Sequence, residues 1–385
     1  MKRNTSVWAT FLPQFHRDKS NDKWWGEGFT EWDNVRGAKP LFGEHKQPKR
    51  PTDGYYDLSS VEEIESQFIE AKQHGIDSFM MYHYWSDGHR LLSEPLDQIL
   101  KNPDRDVNFS LCWANHPWTR TWRNRAGALD VLLPQNYSNE KEHRKFLCKV
   151  FDDYRYSRLN ERPVFTIYKA SDVPNISSWC NDFREEIQAA IGSNPYLVTM
   201  VKNAEDLSSC KEFDAVNIFQ PSASLFGGEN LYRRSDMSVA ARLRTMPPSI
   251  RKLLYLIQDA LPSKPRFYSY EDHSNHCLRQ YIATSQSSSC PVIPMICAGF
   301  DNTPRYKKRA TVLTGFDIEL FASGLKSIVS HAQSLDVGHH PAAPPYVVIN
   351  SWNEWGEGMF LQSDDEFGLS KLECVREVLK EIDQN

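Results

Sequence analysis

Residues 59–85 read "SSVEEIESQFIEAKQHGIDSFMMYHYW", and two different hydrophobic patterns follow one another directly in this stretch. The first part has a candidate N-cap at Ser59 or Ser60, places its apolar residues near one helical face and closes on Gly75. The second part, residues 76–85, is almost continuously apolar and aromatic, which is typical of a strand buried on both faces in a parallel sheet. The stretch therefore predicts one helix–strand unit of an α/β fold.

Similar patterns recur along the chain. The strand-like runs span residues 7–12, 76–85, 108–115, 163–169, 196–201, 214–219, 291–300 and 346–352. Helical patterns fall between several of them, at 59–75, 139–153, 176–191, 316–334 and 369–382. This alternation predicts an α/β fold, a single (β/α)8 TIM barrel. An open doubly wound sheet is the alternative, but no glycine-rich phosphate loop follows the first run.

The length and composition fit one domain over residues 1–385, with 40% hydrophobic and 25% charged residues. Residues 220–275 follow the sixth run and contain helical pieces but no obvious strand. We interpret them as a long insertion in the sixth βα loop, on the face of a barrel where active sites lie. We expect this insertion to shape a substrate cleft, and a loop without such a role is the alternative.

Several classes of protein and site are disfavoured. A net charge of −5 without a long basic run gives no reason to expect a nucleic-acid partner. The eight cysteines are scattered, which indicates reduced, buried thiols rather than a metal site. Pro13 and Gln14 interrupt the apolar stretch near the N-terminus, and no run is long enough for an integral membrane segment. We expect a cytoplasmic protein; peripheral membrane association and the oligomeric state are left open.

Aromatic and polar residues cluster where the apolar runs stop. One tryptophan alone is best explained by core packing, but a set placed past the C-terminal ends of barrel strands indicates a cleft. Aromatic faces stack on sugar rings, and polar side chains bind hydroxyl groups, so we expect an oligosaccharide or polysaccharide substrate. The residues that we expect to bind it are His16, Trp24, Trp25, Glu31, Tyr82, His83, Tyr84, Trp85, Trp113, Asn115, Trp118, Asp301, Asn302, Arg305, Asn350, Trp352, Asn353 and Trp355.

The motif "NSWNEWGEG", residues 350–358, supplies the candidate catalytic pair, Glu354 and Glu357. Cleavage of a glycosidic bond needs two carboxyl groups, and residues three apart share one side of a helical turn. Crowding two acids near aromatic rings raises one pKa, as acid catalysis requires. The alternative is that one of them caps a helix or pairs with Arg305. Other candidate acids are Asp22, Glu27, Glu31 and Asp301.

A metal site is a weaker interpretation of the histidines near this face, His83, His89 and His116. Their spacing does not match the HExxH type of motif, so hydroxyl binding is the favoured role. The sequence thus predicts no metal and no cofactor.

The order of the motifs resembles the WbsX-like glycosyltransferase family, which is related to the endo-α-mannosidases of glycoside hydrolase family 99. The resemblance rests on "FLPQFH", "NDKWWGEGFTEWDNV", "KPLF", "YYDL", "YHYWSDGHRLL", "LCWAN", "GFDNTPR" and "NSWNEWGEG", and it covers roughly residues 7–375. It implies a (β/α)8 barrel. The chain departs from the family at His116, where glutamate is more usual, which bears on the role of the third loop and on the substrate.

The resemblance also implies roles for the acids. Glu354 would act as the base on the sugar's own 2-hydroxyl, and Glu357 as the acid and later the base. The outcome would be retention through a 1,2-anhydro sugar, without a glycosyl-enzyme.

The favoured function is therefore a retaining, endo-type glycoside hydrolase. The alternative is a glycosyltransferase in the biosynthesis of surface polysaccharide, such as O-antigen or lipopolysaccharide. Nucleotide-sugar transferases often carry a metal-binding DxD motif, and "DRD" at 104–106 is too short to identify one. A second alternative is a non-catalytic carbohydrate-binding protein, which the intact glutamate pair disfavours.

Overall fold

The computed structural model describes residues 5–122, 126–137, 140–202, 206–207, 210–227, 246–260, 262–335 and 344–384. Parallel strands form the wall of a barrel at each of the eight predicted runs. They are β1 (Ser6–Phe11), β2 (Ser78–Ser86), β3 (Phe109–Trp113), β4 (Arg162–Ile167), β5 (Tyr196–Val201), β6 (Ala215–Ile218), β7 (Val292–Ile293 and Met295–Cys297) and β8 (Tyr346–Asn350).

The two segments of β7 bring the sheet round on itself. Val292–Ile293 pairs with β6, and Met295–Cys297 pairs with β8, which in turn pairs with β1. Pro294 lies between the segments, and a proline has no backbone N–H to contribute to a ladder. The result is a nearly closed parallel barrel, which confirms the predicted (β/α)8 architecture.

Helices surround the barrel and extend from its loops. They are α1 (Lys19–Trp25), α2 (Glu31–Arg36), α3 (Val61–Gln73), α4 (Glu94–Lys101), α5 (Glu140–Phe151), α6 (Ile176–Ile191), α7 (Ser222–Phe226), α8 (Pro248–Ala260), α9 (Tyr270–Ser287), α10 (Thr303–Tyr306), α11 (Ile318–Ser334) and α12 (Ser370–Gln384). The N-cap of α3 is Ser60, whose hydroxyl accepts a hydrogen bond from the N–H of Glu63 at 3.4 Å. The link from β5 to β6 spans residues 202–214, of which 203–205 and 208–209 lie outside the described residues.

Short elements complete the loops. Short strands are His89–Leu91, Trp118–Thr119, Val131–Leu133, Arg158–Leu159, Arg266–Ser269, Thr311–Thr314, Asn353–Glu354 and Met359–Phe360. 3-10 turns are Ala126–Leu129, Ala170–Asp172, Lys307–Arg309 and Trp355–Glu357.

The core has two layers because successive side chains of a strand point to opposite faces. One cluster fills the barrel interior, where the rings of Trp8 and Tyr346 stack with centroids 3.8 Å apart. A larger cluster lies between the strands and the helices. Burial on both faces explains why the strand sequences are nearly continuous in apolar residues. All eight cysteines are free thiols.

The insertion after β6 begins with α7 and includes α8. It also contains the strand Arg266–Ser269, in a stretch where the sequence showed no obvious strand, paired in parallel with Thr311–Thr314. Residues 228–245 and 261 of the predicted insertion lie outside the described residues. The assignment of residues 1–385 to one domain stays a prediction. Among the described residues, no helix combines the length and the apolar character that crossing a bilayer requires.

Candidate active site

A cleft of about 560 Å³ opens where the barrel strands end. Residues from the ends of β2, β4, β6 and β8 and from several loops line it. Among the residues predicted from the sequence, the cleft brings together Tyr82, Tyr84, Trp118, Asn302, Arg305, Asn350, Glu354 and Glu357. The insertion also contributes to the lining of the cleft, as expected for a segment that shapes it. Its lining residues are Pro221, Ser222, Phe226 and Arg266.

The loop that follows β8 is anchored on both sides before it reaches the cleft. The side chain of Asn353 accepts a hydrogen bond from the N–H of Leu12 at 2.7 Å and donates one to the same residue's carbonyl at 3.0 Å. The indole of Trp352 donates to Gln67 of α3 at 2.9 Å, and the ring of Trp355 stacks on a neighbouring phenylalanine. These contacts fix the backbone, so the two glutamates are held rather than left to solvent.

One guanidinium group binds three carboxylates at the floor of the cleft. Arg305 Nη1 donates to Glu357 Oε1 at 3.0 Å and to Glu354 Oε2 at 3.2 Å. Its Nε donates to Glu31 Oε1 at 2.8 Å. The pairing of a glutamate with Arg305, considered from the sequence as an alternative to catalysis, is thus present for both glutamates. It coexists with their position in the cleft.

The three carboxylates differ in their surroundings. Glu31 and Glu354 are buried, whereas the side chain of Glu357 is 28% exposed. Burial raises the pKa of Glu354 to about 8; Arg305 opposes that shift, and the neighbouring carboxylates add to it. Burial likewise raises the pKa of Glu31, against the effect of Arg305. With one cation for three acids, the buried carboxyl groups of Glu31 and Glu354 are both shifted toward their protonated forms.

Gly356, between the two glutamates, lies directly against this cluster. A Cβ atom there would be 2.3 Å from Glu31 Oε1 and 2.8 Å from Arg305 Nε. We expect Gly356→Ala to displace the pair and to lower kcat/KM by roughly 100-fold, because a shift of about 1 Å in a catalytic group has effects of this size. Steady-state kinetics would measure the loss.

Gly43 is the matched control for this substitution. A Cβ atom at Gly43 would meet nothing within 4 Å, so Gly43→Ala should keep the wild-type rate. Equal rates for Gly356→Ala and wild type would show that the position of the cluster does not limit activity.

Aromatic residues that were not predicted complete the walls of the cleft. The ring of Trp122 lies 4.5 Å from Arg305 Cζ and stacks on Trp25. Tyr168 and Phe219 follow the ends of β4 and β6. The sequence did contain a signal for Tyr168 and Phe219, since each is an aromatic residue at or next to the end of an apolar run. Gln14, Thr119, Thr121 and Tyr306 also line the cleft.

Residues alternate between the cleft and the outer core along β2. Tyr82 and Tyr84 face the cleft, whereas His83 and Trp85 pack outward against His143 of α5. The rings of Trp85 and His143 are stacked at 4.7 Å. Burial lowers the pKa of His83 to about 3, so the ring is neutral. The structure therefore gives His83 and Trp85 a packing position outside the cleft lining.

Other predicted residues also lie behind the cleft lining. Trp113, Trp352 and Trp355 are fully buried in the outer core. The remaining positions away from the lining are those of His16, Trp24, Trp25, Glu31, Asn115, Asp301 and Asn353. Trp24 packs against Trp118, and Asn115 hydrogen-bonds to the backbone of Lys169. Direct contact with a ligand is expected from the cleft-lining set.

Asp301 has a specific structural role. Its carboxylate accepts hydrogen bonds from His45 Nε2 at 2.7 Å, from the Gln47 amide and from the N–H of Thr303 at 3.0 Å. Burial alone would raise the pKa of Asp301, but these hydrogen bonds hold it below its usual value. Its own N–H donates to the carbonyl of Glu357 at 2.6 Å, so Asp301 supports the loop that carries Glu354 and Glu357.

The three histidines considered as metal ligands occupy different surroundings. His83 is in the outer core, His89 is exposed and His116 lines the cleft. Desolvation by the surrounding cleft walls, followed by the nearby Lys202, lowers the pKa of the His116 imidazole to about 4. In the part of the chain that the structure describes, no three His, Cys, Asp or Glu residues are grouped to hold a metal ion.

Comparison with known proteins places the chain in a family. A family model described as "Glycosyltransferase WbsX" matches residues 7–375. Two curated proteins from Xanthomonas campestris pv. campestris, both called "Uncharacterized protein WxcX", are 29% identical to this chain in an alignment of 381 residues. The match covers 96% of this chain, and the chain spans about half, 49%, of the length of those relatives.

Solved structures show a similar fold. A glycoside hydrolase family 99 endo-α-mannosidase from Bacteroides thetaiotaomicron matches with a TM-score of 0.54 at 11% identity, covering 98% of this chain and 97% of its own. A "Glycoside hydrolase-like protein" matches with a TM-score of 0.57 at 13% identity, covering 98% and 94%. The chain therefore belongs to the WbsX glycosyltransferase family, a family of carbohydrate-active enzymes, and has a barrel fold like that of these two solved structures.

Proposed function

We propose that this chain is a retaining, endo-type glycoside hydrolase that cleaves an oligosaccharide or polysaccharide with Glu354 and Glu357. The observation that carries the proposal is the binding of both carboxylates to the same Nη1 atom of Arg305 at the floor of the cleft. This arrangement keeps their nearest oxygens within roughly 6 Å of each other, a separation at which two acids can act on one glycosidic bond.

In the proposed reaction, Glu354 removes the proton of the sugar's 2-hydroxyl while that oxygen attacks the anomeric carbon. Glu357 donates its proton to the leaving oxygen as the glycosidic bond breaks. Water then opens the 1,2-anhydro ring: Glu357 takes the proton of the water, and the 2-oxygen recovers the proton from Glu354. Two inversions at the anomeric carbon give net retention.

The lining of the cleft is suited to a sugar. Tyr82, Tyr84, Trp118, Trp122 and Tyr168 supply aromatic surface next to the acids. Indole and phenol rings present flat apolar faces with a polar edge, so they pack on the C–H faces of a sugar ring while the hydroxyl groups find polar partners.

A second candidate is a glycosyltransferase, which the description of the matching family favours. Purified protein should be assayed on α-mannan-like and rhamnose-containing oligosaccharides, with and without added nucleotide sugars. Products of retained configuration formed without a nucleotide sugar are expected. A strict need for a nucleotide sugar would replace the hydrolase by the transferase, and saturable binding without turnover would leave a carbohydrate-binding protein.

The pH dependence tests the role of Glu354. A general base must be ionised, and burial raises the pKa of Glu354 to about 8. We therefore expect kcat/KM to rise with pH between about 6 and 8, by up to about tenfold per unit, as the free enzyme loses this proton. The profile should be measured at constant ionic strength, with the fold monitored by circular dichroism at each pH.

The opposite slope would contradict this assignment. If Glu354 were the general acid, only its protonated form would be active, and kcat/KM would fall as the pH rose through about 8. That outcome would exchange the roles of the two glutamates and leave the pair itself in place.

A further inference from the structure

Glu31 is a third carboxylate beside the acid pair, and the proposed reaction does not use it. It does not line the cleft, and its side chain is 1% exposed. It is the first residue of α2, and its Oε1 accepts a hydrogen bond from Arg305 Nε at 2.8 Å. A carboxylate buried this deeply is costly even when it is paired, and Arg305 already binds two other acids. A functional role would explain why a third acid is placed on the same cation.

The nitrogen atoms of the Arg305 guanidinium divide their contacts between the three acids. Nε donates to Glu31, whereas Nη1 donates to Glu354 and to Glu357. Nη2 lies 3.0 Å from the other oxygen of Glu354. Glu31 therefore holds the guanidinium by the one nitrogen that does not contact the pair. A Cβ atom added at Gly356 would be 2.3 Å from Glu31 Oε1, so this carboxylate also lies directly against the loop between the two glutamates.

The charge of Arg305 is divided in the same way as its contacts. The side chains of Glu31, Arg305 and Glu354 are 1%, 4% and 7% exposed, so water screens their charges little. A negative charge on Glu31 weakens the attraction between Arg305 and Glu354 and repels the charged form of Glu354. Burial is the main cause of the raised pKa of Glu354; Arg305 lowers that pKa, and Glu357 and Glu31 raise it. Without the charge of Glu31, Arg305 would stabilise ionised Glu354 more strongly.

We propose that Glu31 is a positioning residue for the acid pair. It orients the guanidinium of Arg305 through Nε and takes up part of its positive charge, so that Glu354 is a stronger base than it would be beside Arg305 alone. This inference rests on the proposed function, in which Glu354 removes a proton from the substrate. A carboxylate that had the arginine to itself would be ionised but weakly basic, and general-base catalysis is most effective when the pKa of the base is near the working pH.

Glu357 and two phenols are the other titratable groups that face Glu354. Glu357 lies on the same loop, and the phenols are those of Tyr82 and Tyr84 from β2. Burial raises the pKa of both phenols above the usual value for tyrosine, so both are neutral around pH 6 to 8. All three groups remain in a variant of Glu31. A change in the titration of Glu354 in such a variant therefore reports the charge at position 31.

A carboxyl carbon-13 NMR titration of the full chain tests the proposal without any substrate. The signal of Glu354 is assigned by its loss in Glu354→Gln. In Glu31→Gln, the side-chain oxygen can still accept the hydrogen bond from Arg305 Nε, but the negative charge is gone. We expect the pKa of Glu354, about 8 in the wild type, to fall by about one pH unit or more in this variant. Glu31→Asp, which keeps the charge, should leave the pKa of Glu354 closer to that of the wild type.

The pH–rate profile gives a second measurement. In Glu31→Gln, the rise of kcat/KM should move to lower pH by the same amount, because the base is ionised earlier. The plateau should be lower, because the base is weaker. A purely structural role for Glu31 would lower the melting temperature without moving this rise.

The matched control is Glu140→Gln, in α5. Burial raises the pKa of Glu140 to about 7, and its carboxylate accepts a hydrogen bond from the indole of Trp179 at 3.0 Å, outside the lining of the cleft. This variant also replaces a carboxyl group of raised pKa by an amide, but it should leave both the titration of Glu354 and the pH–rate profile unchanged.

An unchanged or raised pKa of Glu354 in Glu31→Gln would overturn the proposal, since Glu31 would then carry no charge that Glu354 senses. An equal fall in Glu31→Asp would also overturn it, because the effect would then follow from geometry and not from charge. Failure of the proposed function has a different result. The pKa of Glu354 would fall in Glu31→Gln, but the wild type would cleave no oligosaccharide without a nucleotide sugar.

Discussion

Glu357→Gln is expected to lower kcat by about 10³-fold while ligand binding persists. The amide keeps the size and the hydrogen-bonding capacity of the side chain, but it can neither donate a proton to a leaving oxygen nor activate water. The side chain is 28% exposed at the floor of the cleft, so its replacement should have little effect on the fold. The measurements are steady-state kinetics on the oligosaccharide that the wild type cleaves, and calorimetric binding of the same oligosaccharide.

Glu366→Gln is the matched control. The side chain of Glu366 is 29% exposed, and it forms an ion pair with Lys49 outside the lining of the cleft that holds Glu354 and Glu357. Its amide variant should cleave at the wild-type rate. A wild-type rate for Glu357→Gln would end the proposed assignment, and loss of both activity and binding in that variant would show that the carboxylate holds substrate instead.

The second large effect is expected at Arg305. Its side chain is 4% exposed, and Arg305→Met would leave the buried carboxylates of Glu31 and Glu354 without their cation. We expect the free energy of unfolding to fall by roughly 3–5 kcal/mol, the usual effect of breaking a buried ion pair by removing one partner. We also expect the pKa of Glu354 to rise further, so the rise of kcat/KM with pH should move above its wild-type position. Chemical denaturation and a pH–rate profile measure the two effects.

Arg155→Met separates the loss of stability from the change in catalysis. Arg155 is also buried in an ion pair, with Asp153 at 2.6 Å, and its other contacts are backbone carbonyls far from the cleft. The substitution Arg155→Met should destabilise the fold. It should leave the pH–rate profile of the protein that remains folded unchanged. An unchanged profile in Arg305→Met as well would mean that the arginine serves stability alone.

The barrel was predictable because its signals are local. A parallel strand covered on both faces is apolar along its length, and β1 to β8 all overlap runs that show this pattern, although β1, β2 and β4 each extend one residue beyond their run. The cap at Ser60 and the left-handed Gly75 after α3, with φ of 93°, follow from backbone chemistry of a few neighbouring residues. The pairing that closes the barrel at Pro294 was not visible, because it depends on neighbours from β6 and β8.

Which aromatic residues reach the cleft was harder to predict. Tyr84 and Trp85 are adjacent in the sequence, and a shift of one residue along a strand moves a side chain to the opposite face. Tyr84 lines the cleft, and Trp85 packs against α5. Composition alone groups the two, so the tryptophans of the outer core were predicted together with those of the cleft.

The sequence by itself determined the α/β barrel and the candidate acid pair at the end of its last strand, because short, contiguous sequence patterns indicate both. Only the tertiary structure decided that Arg305 joins that pair to Glu31, a contact between residues 274 positions apart. It also decided that α8 buries none of its apolar residues. The physical reason is the same in both cases. Sequence periodicity shows which face of a helix or strand a side chain lies on, but distant parts of the chain decide what that face contacts.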